Sequence, residues 1–194
     1  MKVPLAIKKH TLRLILGILA LILPIAMPLG RLVFGGSPIL QSSISAYYFS
    51  EVRFLFLIIL TLFGLAFIFY GLTYSRQRWI LILTGTLTIC VAYFPTSGPG
   101  VSHSWISYFH IICAVGFFFM LGFVIRYSFN LPLAFPLLTK LGLYIWIAEG
   151  VLIIYFLAFR GLWPPLVFFL ETVILWLFTF GVYVRWQIDK RLRG

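Results

Sequence analysis

The groups in this sequence that could bind a ligand or move a proton are two histidines and two glutamates, His103, His110, Glu149 and Glu171, within or beside long apolar stretches. An ionisable side chain at the centre of a membrane helix costs of order 3 kcal/mol on insertion scales, so each one needs a partner or a function. His103 and His110 differ by about 20° around a helix, which puts both on one face if the helix begins before Ser104. Counted along their helices, His110, Glu149 and Glu171 fall in the outer half of one bundle.

Three interpretations of these residues stay open at the level of sequence. In the first, His110, Glu149 and Glu171 form a hydrogen-bonded network that specifies helix packing. In the second, they form a pocket near the outer face that binds or transports a small polar, cationic or lipid-like ligand. In the third, the histidines and glutamates ligate zinc, or His110 with a carboxylate activates water or Ser45. The third would make the protein an intramembrane hydrolase or a metal-dependent lipid-modifying enzyme, but the sequence contains no HExxH or GxSxG motif.

The candidate pocket combines these groups with polar side chains of the predicted outer loops. Segment 30–53 is the longest connection, and it mixes serine, tyrosine and charged residues with apolar ones. Such a segment is expected to lie at the membrane interface or to dip back into the protein. We favour a non-enzymatic binding role and predict no catalytic residue, no metal ligand and no cofactor. The candidate ligand-binding residues are His103, His110, Glu149, Glu171, Ser45, Tyr47, Tyr48, Arg53, Tyr93 and Arg160.

The composition indicates a membrane protein. Hydrophobic residues make up 62% of the 194 positions and charged residues only 10%, with a mean hydropathy of +1.09. A soluble domain is about one quarter charged, so this chain could not cover its surface in water. A membrane span needs roughly 20 mostly apolar residues, and the chain has room for about six spans and for no separate soluble domain.

Six predicted helices position the polar groups in a compact bundle, a single all-α polytopic membrane domain over residues 1–194. Short basic or proline- and glycine-rich turns separate most of them. Gly64 and Gly71 predict close approach of the second helix to a neighbour. The predicted helices cover residues 12–29, 54–73, 79–94, 104–127, 141–159 and 164–187.

The distribution of basic residues predicts the orientation of the bundle. Twelve of the 15 Lys and Arg residues fall on one side of a six-span topology, together with both chain ends. Because basic loops stay in the cytoplasm, both termini are predicted to be cytoplasmic, in a multi-pass protein of the cell membrane, the bacterial inner membrane. The basic tail, residues 185–193, is expected to contact anionic lipid headgroups. Membrane lipids are the expected partners, nucleic acid is not, and a homo-oligomer is left open.

Two short runs carry a family resemblance. VAYFPTS, followed by His110, and SISAYYF, followed by Arg53, resemble sequences of small bacterial multi-span membrane proteins in the domain-of-unknown-function group nine-nine-eight. The resemblance implies a multi-helix membrane protein with no established activity. The residues that carry it are Ser45, Tyr47, Arg53, Pro95 and His110.

Overall fold

The chain folds into helices, as a computed structural model shows for residues 9–74, 77–96, 105–129, 135–159 and 162–191. Within these ranges there is no strand, which confirms the all-α class. Two candidate pocket residues, His103 and Arg160, lie outside the described residues. The α-helices are α1 (Lys9–Val33), α2 (Arg53–Tyr74), α3 (Arg78–Tyr93), α4 (Trp105–Phe123), α5 (Phe135–Ala158) and α6 (Pro165–Arg191). A 3-10 helix (Ser45–Phe49) precedes α2, and a π-helical turn (Val124–Ser128) extends α4.

Five of these helices are long and apolar enough to cross a membrane, namely α1, α2, α4, α5 and α6. The predicted third span corresponds to α3, which has 16 residues. Its length is about 24 Å at 1.5 Å per residue, whereas the hydrocarbon core of a bilayer is about 30 Å thick. Helix length and composition therefore support five spans, and a sixth crossing depends on how the bilayer adapts to α3.

Two helix boundaries close to prolines differ from the predicted ones. Pro24 and Pro28 lie inside α1, which continues to Val33 beyond the predicted end. Helix α5 begins at Phe135, more than one turn before the predicted start, with Pro136 in its first turn. Proline is tolerated there because the first-turn N–H that it lacks has no acceptor within the helix.

The helices form a closed ring in sequence order. Each helix packs against the next one along the chain, and α6 returns to pack against α1. At this seam Thr179 donates a hydrogen bond to the Gly17 carbonyl oxygen at 3.2 Å, and Arg13 forms a salt bridge with Asp189. The start of α1 and the end of α6 therefore lie at one end of the ring, the terminal end. The opposite end, the loop end, carries the connection 34–52.

Aromatic side chains fill the centre of the ring. Phe63 and Phe67 of α2 both pack against Phe178 of α6, with ring centroids 6.2 and 5.7 Å apart. Phe63 also packs edge-on against Phe117 of α4, at 5.9 Å. All four side chains are buried. Aromatic pairs of this kind add about 0.5–1.5 kcal/mol beyond the area that they bury, so the cluster joins helices that are not neighbours in the ring.

Glycines permit close contact between α2 and α3. A methyl group added at Gly64 would lie 2.6 Å from Ile89 and 2.8 Å from the Gly85 carbonyl oxygen. A methyl group added at Gly85 would overlap the Gly64 carbonyl oxygen and lie 2.7 Å from Ile68. Gly71 makes a similar approach to α3. The prediction that Gly64 and Gly71 serve close helix packing is confirmed.

We expect Gly85→Ala to destabilise the protein, because the added methyl group meets backbone that cannot move aside cheaply. Overpacking of this kind costs about 1–3 kcal/mol, and a chain of this length loses about 2–4 °C of unfolding midpoint per kcal/mol. Gly150→Ala is the matched control, since open space surrounds that position and alanine is the better helix former. Thermal unfolding in detergent should show a lower midpoint for Gly85→Ala and an equal or higher one for Gly150→Ala. Equal midpoints for Gly85→Ala and the parent would contradict the close contact.

Candidate functional site

A cavity of about 160 Å³ lies at the loop end of the ring, between the connection 34–52 and helices α4, α5 and α6. Three of the predicted pocket residues line it, Ser45, His110 and Glu171. Ser43 and Thr96, which follows α3, each add a hydroxyl group. The rest of the lining is apolar. A few polar groups within an apolar wall are typical of small-molecule sites.

The end of α3 holds the ring of His110 in one tautomer. The Nδ1 atom of this buried histidine is in hydrogen-bond contact with the carbonyl oxygen of Phe94. Because a carbonyl oxygen can only accept, Nδ1 carries the hydrogen and donates it. In the neutral ring Nε2 is then an acceptor. Because His110 lines the cavity, Nε2 is the ring nitrogen that can bind a ligand there.

Glu171 ties the connection to the first turns of α6. Its Oε2 atom accepts a hydrogen bond from the Ile44 backbone N–H at 2.6 Å. One turn earlier, the Phe168 backbone N–H donates to the Ser42 carbonyl oxygen at 3.1 Å. These bonds give partners to a backbone N–H near the start of α6 and to the buried carboxyl group of Glu171, which would otherwise be unpaired. They also hold the neighbouring serines of the connection against the cavity.

Tyr47 shapes the connection from within and does not line the cavity. Its side chain is fully buried and packs against the ring of Phe168, with centroids 6.1 Å apart. Its hydroxyl donates to the Ile39 carbonyl oxygen at 2.8 Å and accepts from the Gln41 N–H at 3.3 Å. Burial raises the pKa of this hydroxyl, because the phenolate would lose its hydration. Tyr47 is therefore a neutral group that joins two parts of the same connection.

Glu149 stands apart from the other two ionisable groups. It is 2% exposed, and neither of its carboxyl oxygens has a hydrogen-bond partner in the part of the chain that the structure describes. Leu152 and Ile153, one turn further along α5, line the cavity, whereas Glu149 does not. His110 and Glu171 bond to backbone groups, so no hydrogen bond among the described residues joins the three side chains into a network.

The other predicted residues that the structure describes lie away from the cavity lining. Arg53 stacks on Tyr48, with its guanidinium carbon 4.1 Å from the ring centroid, and donates a hydrogen bond to the tyrosine hydroxyl. Tyr93 is largely exposed and accepts a hydrogen bond from Thr61 at 3.3 Å. Tyrosines are common at the ends of membrane spans, where one edge of the ring meets the polar interface. These contacts explain the positions of Tyr48, Arg53 and Tyr93 without a ligand.

Sequence reasoning missed Thr96, Ser43 and the apolar part of the cavity wall. Ala114 follows His110 by one helical turn, so both fall on one face of α4, and both line the cavity. That spacing was a usable signal for the α4 contribution. The contribution of Thr96 comes from the return of the chain after α3, which periodicity does not predict.

The cavity reaches the outside of the ring beside α5. Leu157 lines the cavity and is 77% exposed. Ile112 of α4 and Ile154 of α5 are also exposed on the outer surface of the ring. An exposed apolar surface of this kind is suited to contact with lipid or with another apolar partner.

Among the residues that the structure describes, no group of three or more His, Cys, Asp or Glu side chains is placed to hold a metal ion. His103, one of the four zinc ligands considered from the sequence, lies outside them.

Comparison with known proteins adds no assignment to this geometry. No family model matches the chain, and neither a curated protein nor a solved structure matches it. The resemblance carried by VAYFPTS and SISAYYF therefore stays a prediction.

Replacing Glu171 by alanine should loosen the connection, because the buried Ile44 N–H would lose its acceptor. An unpaired buried donor costs about 1–3 kcal/mol, so amide exchange across residues 42–49 should accelerate roughly tenfold. Hydrogen–deuterium exchange read by mass spectrometry measures this rate. Ser42→Ala is the control in the same connection, since the Ser42 side chain is exposed and its bond to α6 uses the backbone carbonyl oxygen, which alanine keeps. Unchanged exchange at Ile44 in Glu171→Ala would show that this hydrogen bond does not hold the connection, and would contradict the prediction.

Proposed function

We propose that this chain is an integral membrane protein whose loop-end cavity binds a small amphipathic, lipid-like ligand. One observation carries the proposal: Ser45, His110 and Glu171 line a cavity that is otherwise mostly apolar. Ionisable groups within a membrane protein are expensive and serve packing, a ligand or a proton path. His110 and Glu171 each use one atom on the protein backbone, and their remaining polar atoms are available to a ligand.

The cavity is suited to one end of a longer molecule. Its volume of about 160 Å³ is below the roughly 300–1,000 Å³ of pockets that enclose a whole drug-sized ligand. A polar head that brings N–H or O–H donors matches a carboxyl oxygen of Glu171 and the Nε2 acceptor of His110. The apolar remainder of the ligand would leave past Leu157 toward the surrounding lipid.

The aromatic cluster supports binding at the loop end over passage through the ring. Phe118 forms part of the cavity wall, and its ring packs against Phe117 with centroids 5.1 Å apart. Phe117 in turn belongs to the buried cluster at the centre of the ring. A ligand could reach the terminal end through the middle only if these packed rings separated, so binding is the better supported role.

We also propose six membrane crossings with both termini in the cytoplasm of a bacterial cell. The α1–α6 seam supports this topology, because it brings the first and last helix ends to one end of the ring. Most of the basic residues belong to that end in a six-span topology. The short α3 can cross if the bilayer thins locally and its flanking Arg78 and Trp79 reach the interface. Lys190 lies over the ring of Trp186 at 5.7 Å, which suits an interfacial anchor at the end of the basic tail, whereas Arg185 at its start is buried and pairs with Asp189.

Reporter fusions test the topology. A reporter enzyme that is active only outside the cytoplasm should be inactive when fused after Arg193, because the basic tail stays inside. The same reporter fused after Gly35, in the connection 34–52, should be active and serves as the positive control. An active fusion after Arg193 would contradict the proposed orientation.

Filling the cavity should abolish ligand binding. Ala114 lines the cavity, so Ala114→Leu would occupy part of its volume. At ten times its dissociation constant, an eight-carbon monoacylglycerol should stabilise the parent by about 1.4 kcal/mol, which raises the unfolding midpoint by about 3–6 °C. Ala114→Leu should lose this shift, whereas Ala158→Leu makes the same change at an exposed position of α5 and should keep it. Equal shifts in both variants would place the ligand outside the cavity and contradict the proposal.

A further inference from the structure

We propose that Arg13 and Arg185 form a phosphate-binding site at the terminal end of the ring. The two arginines are 4% and 8% exposed, and they share a single carboxylate. Arg13 Nη2 lies 2.5 Å from Asp189 Oδ2, and Arg185 Nη2 lies 3.3 Å from Asp189 Oδ1. Two guanidinium groups and one carboxylate leave a net positive charge in a place from which most water is excluded. Buried charge of this kind is costly until an opposite charge compensates it.

No other acidic side chain of the sequence balances this charge. Asp and Glu number only four in the whole chain, and the structure describes all of them. Glu51 pairs with Arg31 of α1, and Glu171 accepts from the Ile44 N–H, both at the opposite end of the ring. Glu149 has no hydrogen-bond partner among the described residues. Of the four acidic side chains, Asp189 is therefore the one that forms ion pairs with these two arginines in the described part of the chain.

The guanidinium groups also have unused hydrogen-bond donors. Arg185 Nε, Arg185 Nη1 and Arg13 Nε are buried and have no hydrogen-bond partner in the described part of the chain. Arginine presents five N–H donors in a planar fork whose geometry matches carboxylate and phosphate oxygens. The two carboxylate oxygens of Asp189 cannot serve all of these donors. A phosphate group supplies several acceptor oxygens together with the missing negative charge.

The surroundings strengthen the attraction for an anion. Lys9, one turn before Arg13, is close enough to interact electrostatically with both arginines. Arg13 also lies over the ring of Phe129, at 6.0 Å from the centroid, which fixes its position in the interior. Charges that are shielded from water and salt interact more strongly than exposed ones. The phosphate could belong to an anionic lipid headgroup or to a soluble compound, and the site is independent of the loop-end cavity.

Matched ligands in maltoside detergent, which contains no phosphate, test the site and separate the two sources. The probes are dihexanoyl phosphatidic acid, dihexanoylglycerol and inorganic phosphate, each read as a shift in unfolding midpoint at constant ionic strength in chloride. We expect phosphatidic acid to bind about tenfold more tightly than dihexanoylglycerol, because only the former carries the charged group. Inorganic phosphate that binds as tightly as phosphatidic acid indicates a soluble source, and weaker phosphate binding indicates a lipid; both results support the site. Equal effects of the two lipids, with no effect of phosphate beyond chloride, would overturn it.

Variants locate the bound phosphate. Arg185→Gln should weaken binding about tenfold, whereas Arg191→Gln, the same change at an exposed position at the end of α6, should leave it unchanged. Asp189→Asn should tighten binding, because it removes the competing carboxylate, whereas a purely structural ion cluster would give no gain. If Arg185→Gln does not fold, Arg185→Lys serves instead, since it keeps the charge and loses the planar fork. Weakening by Arg191→Gln and not by a change at Arg185 would assign the anion to the exposed tail and overturn the proposal.

Discussion

In an apolar environment a polar group must find its partner inside the protein, and this constraint accounts for most of the structure. The backbone meets it by forming helices. Thr84 and Thr88 meet it within one helix, each donating to the carbonyl oxygen one turn earlier. His110 and Glu171 meet it across helices, through backbone groups of other segments. Glu149 does not meet it among the described residues, because both its carboxyl oxygens are buried there without a hydrogen-bond partner.

The same constraint makes the two ends of the ring chemically different. The loop end has buried acceptors, from Glu171 and from the ring of His110, in an apolar cavity. The terminal end has buried cations that outnumber the one carboxylate, Asp189, that binds them. Helix α6 contributes to both ends, since it carries Glu171 in its second turn and Asp189 near its end. The aromatic cluster between them separates one end from the other.

The connection 34–52 shows how a segment of mixed polar and apolar residues packs against an apolar ring. Its 3-10 helix buries Tyr47, whose hydroxyl serves two backbone groups of the same connection. Hydrogen bonds to α6 then fix the segment from the other side. The cavity exists because this segment covers the loop end without filling the space between Glu171 and His110.

The sequence by itself determined the all-α class, the approximate helix positions and the glycine contact at Gly64, because apolar length and small side chains are local properties of a chain. It also marked His110 and Glu171, since ionisable residues in apolar stretches are rare and costly. Only the tertiary structure decided which candidates share a cavity. The partners of His110 and Glu171 are a carbonyl oxygen and an N–H group, and sequence cannot single these out because nearly every residue has both. Likewise Arg13 and Asp189 lie near opposite ends of the chain, and they meet only because α6 packs back against α1 to close the ring.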